Sequence, residues 1–94
     1  MKYVVAYDIS NDKRRTKLSD LLGTYGVRVN YSVFEIELSE AKREKLLLEI
    51  EQKKLIHKKY DTLRFYHLCE NCVVKSFDIG NRADPFEPID CELF

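Results

Sequence analysis

Glycine and proline are scarce in this chain of 94 residues, with 3 and 2 copies, and no segment is repeated or of low complexity. Collagen-like and low-complexity disordered chains need far more of both. Long hydrophobic runs are missing as well. The longest apolar stretch near the N-terminus, Tyr3-Val4-Val5-Ala6-Tyr7, stops at Asp8, too short for a membrane span or a secretory leader. A soluble, cytoplasmic protein with no membrane partner is expected. The length leaves no room for a second hydrophobic core, which excludes a two-domain enzyme. What is present, 45% hydrophobic and 34% charged residues, suits one compact folded domain.

Net charge is also lacking, because 16 Lys and Arg face 16 Asp and Glu. The distribution is uneven. All 16 bases lie at or before Arg82, together with 12 of the acids, whereas Asp84 to Phe94 holds Asp84, Glu87, Asp90 and Glu92 and no base. A moderately basic body thus carries an acidic tail, which is either a solvated terminus or a segment that docks on basic surface.

Histidine and cysteine offer little. His57 stands in a Lys-rich stretch, and neither it nor His67 reads as a general base. Cys69, Cys72 and Cys91 are an odd set, which argues against a disulfide framework. Cys69-Glu70-Asn71-Cys72 has the spacing that zinc and redox sites use, but a structural zinc site wants four ligands and a second pair is missing unless Cys91 or a second copy of the chain supplies it. The simplest reading is plain cysteines at the end of a strand.

Lys2 to Asp8 is apolar on both alternating faces, as in a central strand covered on both sides. Ser10, Asn11 and Asp12 offer caps for a helix in which Leu18, Leu21, Leu22 and Tyr25 recur at helical spacing, ending at Gly26. From Val27 the apolar residues alternate as Val27, Val29, Tyr31 and Val33, then switch phase to Phe34, Ile36 and Leu38. Such a slip requires a bulge, bend or tight turn near Asn30–Phe34. Ser39 caps a second helix to about Lys54, with Leu46, Leu47 and Ile50 inward. Asp61 to Cys69 alternates again, and Val73 to Ile79 reads as a last strand ended by Gly80. The fold class is therefore α+β, a ferredoxin-like β-α-β-β-α-β plait with an extra C-terminal strand. Residues 1–80 form the domain and 81–94 the acidic tail. A plait leaves one sheet face open and the extra strand could cover an edge, its own or a partner's, so a homodimer is plausible.

Asp8 is a carboxylate at the end of a buried strand, followed by the Ser10 hydroxyl and a basic helix start. It can act as a cap or turn former, or hold Mg²⁺, which takes one or two protein carboxylates and keeps several waters. A two-fold axis near the strand ends would supply a second copy. Lys13, Arg14, Arg15 and Lys17 oppose the helix dipole, which invites phosphate contact. Arg14, Arg15, Lys17 and Arg28 are the candidates for gripping a nucleic-acid backbone. Tyr3, Tyr31, Phe65 and Tyr66 fall on expected strands without the aromatic-glycine signature of an RNA-recognition motif, and read as core or interface.

Three stretches in combination, Tyr7-Asp8-Ile9-Ser10-Asn11-Asp12-Lys13-Arg14-Arg15, Gly26-Val27-Arg28-Val29-Asn30-Tyr31-Ser32-Val33-Phe34-Glu35 and Asp61-Thr62-Leu63-Arg64-Phe65-Tyr66-His67-Leu68-Cys69, resemble the CRISPR-associated endoribonuclease family, the small subunit of the CRISPR adaptation complex. The likeness spans roughly residues 1–80, with Asn30 where a glutamine is usual. It implies a homodimer with Mg²⁺ between the aspartates that end each first strand, Asp8 here. It further implies nuclease action on single-stranded RNA or duplex DNA, or a non-catalytic bridge between dimers of the CRISPR-associated integrase. In hydrolysis Asp8 would be the metal-holding catalytic residue, with Tyr7, Ser10, Arg14, Arg15, Arg28 and Phe34 as the matching nucleic-acid-binding positions. The alternatives are a toxin-type ribonuclease of the same fold and a ferredoxin-like regulatory dimer that binds a small molecule. The latter predicts no affinity for duplex DNA.

Overall fold

The computed structural model describes residues 1–87. The chain runs β1 (Lys2–Asp8), α1 (Asp12–Gly23), β2 (Gly26–Asn30), β3 (Val33–Glu37), α2 (Glu40–Gln52), β4 (Thr62–Leu68) and α3 (Glu70–Val74). The strands form one antiparallel sheet in the order β2-β3-β1-β4. This is the ferredoxin-like plait.

Alternation along β1 turns Tyr3, Val5 and Tyr7 toward the helices, where they join Phe34 and Ile36 of β3, Leu18 and Leu22 of α1, and Leu46 and Ile50 of α2 in one buried cluster. Val4 and Ala6 point to the opposite face and are only half-buried. β1 is thus central but covered by helices on one side, because both long helices pack on the same sheet face. The other face keeps Val27 and Tyr66 exposed at 47% and 48%.

Each helix start is set by a short polar side chain. Asn11 Oδ1 accepts from the Arg14 amide at 2.9 Å and Ser39 Oγ from the Lys42 amide at 3.2 Å. α1 ends earlier than the periodicity suggests, at Gly23, where the Thr24 hydroxyl donates to the Leu21 carbonyl at 2.7 Å. Along α2, Leu46 and Ile50 are buried whereas Leu47 is 44% exposed. Leu47 was expected inward; one step round a helix of 3.6 residues per turn takes it off the stripe that Leu46 and Ile50 share.

The phase slip between β2 and β3 is resolved by two devices. Tyr31 and Ser32 make the turn, and the strand register shifts between Arg28 and Asn30. Gly26 opens β2 under unusual crowding. A β-carbon there would run into the Glu35 carbonyl oxygen and come within 2.6 Å of Ile36 Cγ1. Gly26→Ala is therefore expected to destabilise the fold by about 2 kcal/mol, as overpacking does, read as a lower urea midpoint with unchanged slope.

The expected strand at 73–79 is absent from the described residues. After β4 the chain enters α3, with the Cys72 and Val73 amides donating to the Cys69 carbonyl at 3.0 Å each. The outer edges of β2 and β4 are free, but no strand among the described residues pairs this segment with either. Val74, Phe77 and Ile79 stand exposed instead. In the acidic segment, the Asp84 amide donates to Glu87 Oε2 at 3.2 Å, and the Phe86 amide donates to Glu35 Oε1 on the helix-free sheet face at 3.0 Å. Asp90, Cys91 and Glu92 lie outside the described residues.

Candidate active site

The end of β1, the loop into α1 and the β2–β3 turn surround an open cleft lined by Tyr7, Asp8, Arg15, Ser19, Arg28 and Phe34, among others. Asp8 is the last residue of β1, opposite Thr62 of β4, and is exposed. Alternation puts it on the side of Val4 and Ala6, at the rim of the sheet face without helices. Among the described residues its carboxylate takes part in no hydrogen bond or ion pair. A carboxylate that no protein donor engages is free to meet a cation or a substrate.

Tyr7 and Phe34 are 5% and 2% exposed. Their rings stack with centroids 6.3 Å apart, and Tyr7 Oη donates to the Tyr31 carbonyl at 3.2 Å. They form the cleft floor and do not offer faces to stacking bases. Arg28 projects from β2 across that floor, its guanidinium 5.5 Å from the Phe34 ring centre, and donates to the Ser19 hydroxyl on α1. Arg15 donates to the Ile9 carbonyl at 3.0 Å and pairs with Asp12, which pins the loop that follows Asp8.

Ser10 and Arg14 are drawn away from the cleft by Asp61, a residue whose role the sequence did not disclose. The Asp61 carboxylate accepts from the Ser10 amide at 3.0 Å, the Ser10 hydroxyl at 3.1 Å, the His57 amide at 2.8 Å and Arg14 Nη2 at 2.7 Å. Its side chain is fully buried. The Ser10 and His57 amides foremost, with Arg14 and the Ser10 hydroxyl adding, hold its carboxyl well below the ordinary value against the opposing effect of burial. Asp61 therefore joins three segments, the β1–α1 loop, the first turn of α1 and the entry to β4. Its oxygens are spent on protein donors, whereas Asp8 and Asp20, both on the cleft wall, take part in no hydrogen bond or ion pair among the described residues.

The described residues contain no cluster of three or more His, Cys, Asp or Glu groups placed to hold a metal. The unengaged Asp8 carboxylate still fits Mg²⁺, which keeps most of its waters and needs one or two protein ligands. It does not fit a closed structural zinc site.

The sequence model of the family described as CRISPR associated protein Cas2 matches residues 1–76. The chain belongs to this family. It is 50% identical over 66 residues to the CRISPR-associated endoribonuclease Cas2 3 of Synechocystis, a stretch that covers 70% of each protein. The crystal structure of Streptococcus pyogenes Cas2 superposes with a TM-score of 0.72 at 30% identity, over 85% of this chain and all (100%) of that one. A chain of a partial Cas6-RT-Cas1–Cas2 complex superposes at 0.68 with 33% identity, over 94% and 98% of the two chains.

As a Cas2 family member, the chain brings five of its seven expected site residues, Tyr7, Asp8, Arg15, Arg28 and Phe34, to one cleft. Ser10 and Arg14 serve the Asp61 hub beside it. Sequence reasoning missed Asp61 and Ser19. Asp61 carried one signal, an acid set immediately before a strand, yet its partners lie 47 and 51 positions upstream and no local pattern announces them. No helix among the described residues is long and apolar enough to cross a membrane.

Proposed function

We propose that the chain is the Cas2 subunit of a CRISPR adaptation assembly. It pairs with a second copy of itself through the helix-free sheet face, works with a Cas1-type integrase, and carries Mg²⁺-dependent endonuclease activity centred on Asp8. The observation that carries this reading is the unengaged Asp8 carboxylate at the rim of a sheet face that leaves Val27 and Tyr66 exposed. Exposed apolar surface of this kind favours self-association, and a two-fold axis across it would set two Asp8 side chains near one another. The endoribonuclease names of the curated relatives and the Cas1–Cas2 complex among the structural neighbours support the same reading.

Each part of the cleft then has a task. Asp8 would hold the cation at the end of β1. Mg²⁺, when bound, supplies charge neutralisation at the scissile phosphate and a more acidic water. Arg28 stays exposed beyond its contact with Ser19 and presents further N–H groups to a phosphate, with its plane steadied on Phe34. Arg15 holds the loop so that Asp8 keeps its position at the end of β1.

A second reading, a bridge between integrase dimers that binds duplex DNA without cutting it, is favoured by the lack, among the described residues, of any cluster of three or more groups placed to hold a metal. The test is incubation of labelled single-stranded RNA and duplex DNA with the protein, in Mg²⁺ and in chelator, with binding measured in parallel. Mg²⁺-dependent cutting supports the nuclease; duplex binding without cutting supports the bridge; neither supports the small-molecule dimer. Arg28→Ala is expected to weaken binding uniformly across sequences and to lower the slope of log affinity against log salt by about 1, as loss of one phosphate contact does.

A further inference from the structure

Cys69 and Cys72 are not the plain strand-end cysteines that the sequence suggests. Cys69 caps α3 and Cys72 lies in its first turn, and their Sγ atoms are 3.1 Å apart. Both side chains are exposed. The turn that joins them is closed by the Cys72 and Val73 amides donating to the Cys69 carbonyl, and the Ser76 hydroxyl donates to the Cys72 carbonyl at 2.7 Å. At its other end α3 is tied to the sheet, where Lys2 Nζ reaches both Glu70 carboxylate oxygens at 3.1 and 3.3 Å. Two accessible thiols are thus held within reach of one another by backbone that belongs to the fold. No third His, Cys, Asp or Glu joins the pair among the described residues.

We propose that Cys69 and Cys72 form a thiol–disulfide exchange site that takes low-molecular-weight disulfides of the glutathione class and closes to a reversible intramolecular disulfide. The Cys69 thiolate attacks one sulfur of the small disulfide, forming a mixed disulfide and releasing one small thiolate. The Cys72 thiol loses its proton to solvent and attacks the Cys69 sulfur, forming the Cys69–Cys72 bond and releasing the second small thiolate. The protein gives up two electrons and two protons, and the small disulfide is reduced to two thiols. The direction of attack follows from the surroundings. The Cys72 thiol hydrogen bond and the Cys72 and Asn71 amides lower the Cys69 thiol below its usual value, while the same contact raises Cys72. Cys69 therefore takes the attacking role, and Cys72 that of the resolving partner.

The test uses the full chain with Cys91→Ser, which removes the third thiol. The protein is equilibrated with oxidised glutathione, quenched with an alkylating reagent, and weighed intact. The expected product has lost two hydrogens, takes up no alkyl group, carries no glutathione, and regains two alkylatable thiols in excess reduced glutathione. With Cys72→Ser added, one stable glutathione adduct is expected on Cys69; with Cys69→Ser in its place, adduct formation is expected to be at least tenfold slower. Circular dichroism of each variant checks the fold, which two exposed Cys→Ser changes leave intact. Two alkylatable thiols surviving in oxidised glutathione, a stable glutathione adduct when both cysteines are present, or oxidation that appears only as disulfide-linked dimers would each overturn the proposal.

Discussion

Asp8→Ala is expected to lower Mg²⁺-dependent cleavage by about 100-fold or more while duplex binding stays within about twofold, because a metal-holding carboxylate acts on the reaction and hardly on backbone affinity. The structure separates these two effects. Asp8 makes no hydrogen bond or ion pair among the described residues, so truncating it removes no prop from the fold. The cleft arginines, Arg28 and Arg15, are fixed by Ser19, Phe34, Ile9 and Asp12 and keep their places without it. Parallel cleavage and binding assays, with the thermal midpoint as a control for folding, check the result. Undiminished, chelator-sensitive cleavage by Asp8→Ala would remove this residue from the mechanism.

The largest effect on stability is expected at Asp61. A buried carboxylate is an acceptor only, and here its two oxygens face four donors: the Ser10 amide and hydroxyl at one, the His57 amide and Arg14 at the other. In Asp61→Asn either placement of the new NH₂ sets it against at least one N–H, and the Arg14 guanidinium loses its countercharge. Uncompensated charge beside a buried polar group is among the costliest defects in a small domain. The melting temperature is expected to fall by about 10 °C or more. Acid behaviour follows from the same contacts. Since folding lowers the Asp61 pKa from its ordinary 3.8, the unfolded chain takes up the proton first as pH drops. The stabilisation is complete above that value and is lost as pH falls below it. Asp61→Asn is expected to flatten this acid limb, seen in thermal midpoints measured from neutral pH down to about pH 2.

Cleavage and stability thus report on neighbouring carboxylates with opposite assignments, and the sequence disclosed them unequally. Asp8 was legible because a charge that ends an apolar strand stands out from the pattern itself. Asp61 was not, since its meaning lies in partners brought from distant segments by the pairing of β4 with β1. The same division holds for the fold. β1, α1, α2 and β4 follow from alternation, helical spacing and caps, all local signals. The slip near Asn30 announced a change of face, but its resolution into a Tyr31–Ser32 turn and a shifted register depended on how β2 meets β3. The segment after Cys69 carried strand-like residues and formed a short helix, whose turn closes on the Cys69 carbonyl through bonds that the apolar pattern does not announce. Tyr7 and Phe34 show the converse limit: family resemblance marked their positions, and only packing showed that they build the cleft floor.

The Asp61 hub also fixes when the cleft can exist during synthesis. β1 is the first strand made, yet its neighbour β4 is the last, and the Ser10–Asp61 bonds span 51 positions. Until β4 is made, the loop after Asp8 is held only by the Arg15 contacts within its own segment, and the central strand lacks its partner on one side. A chain interrupted before β4 would keep Asp8 at the end of a strand paired on one side only, without the Asp61 bonds that fix the loop beyond it.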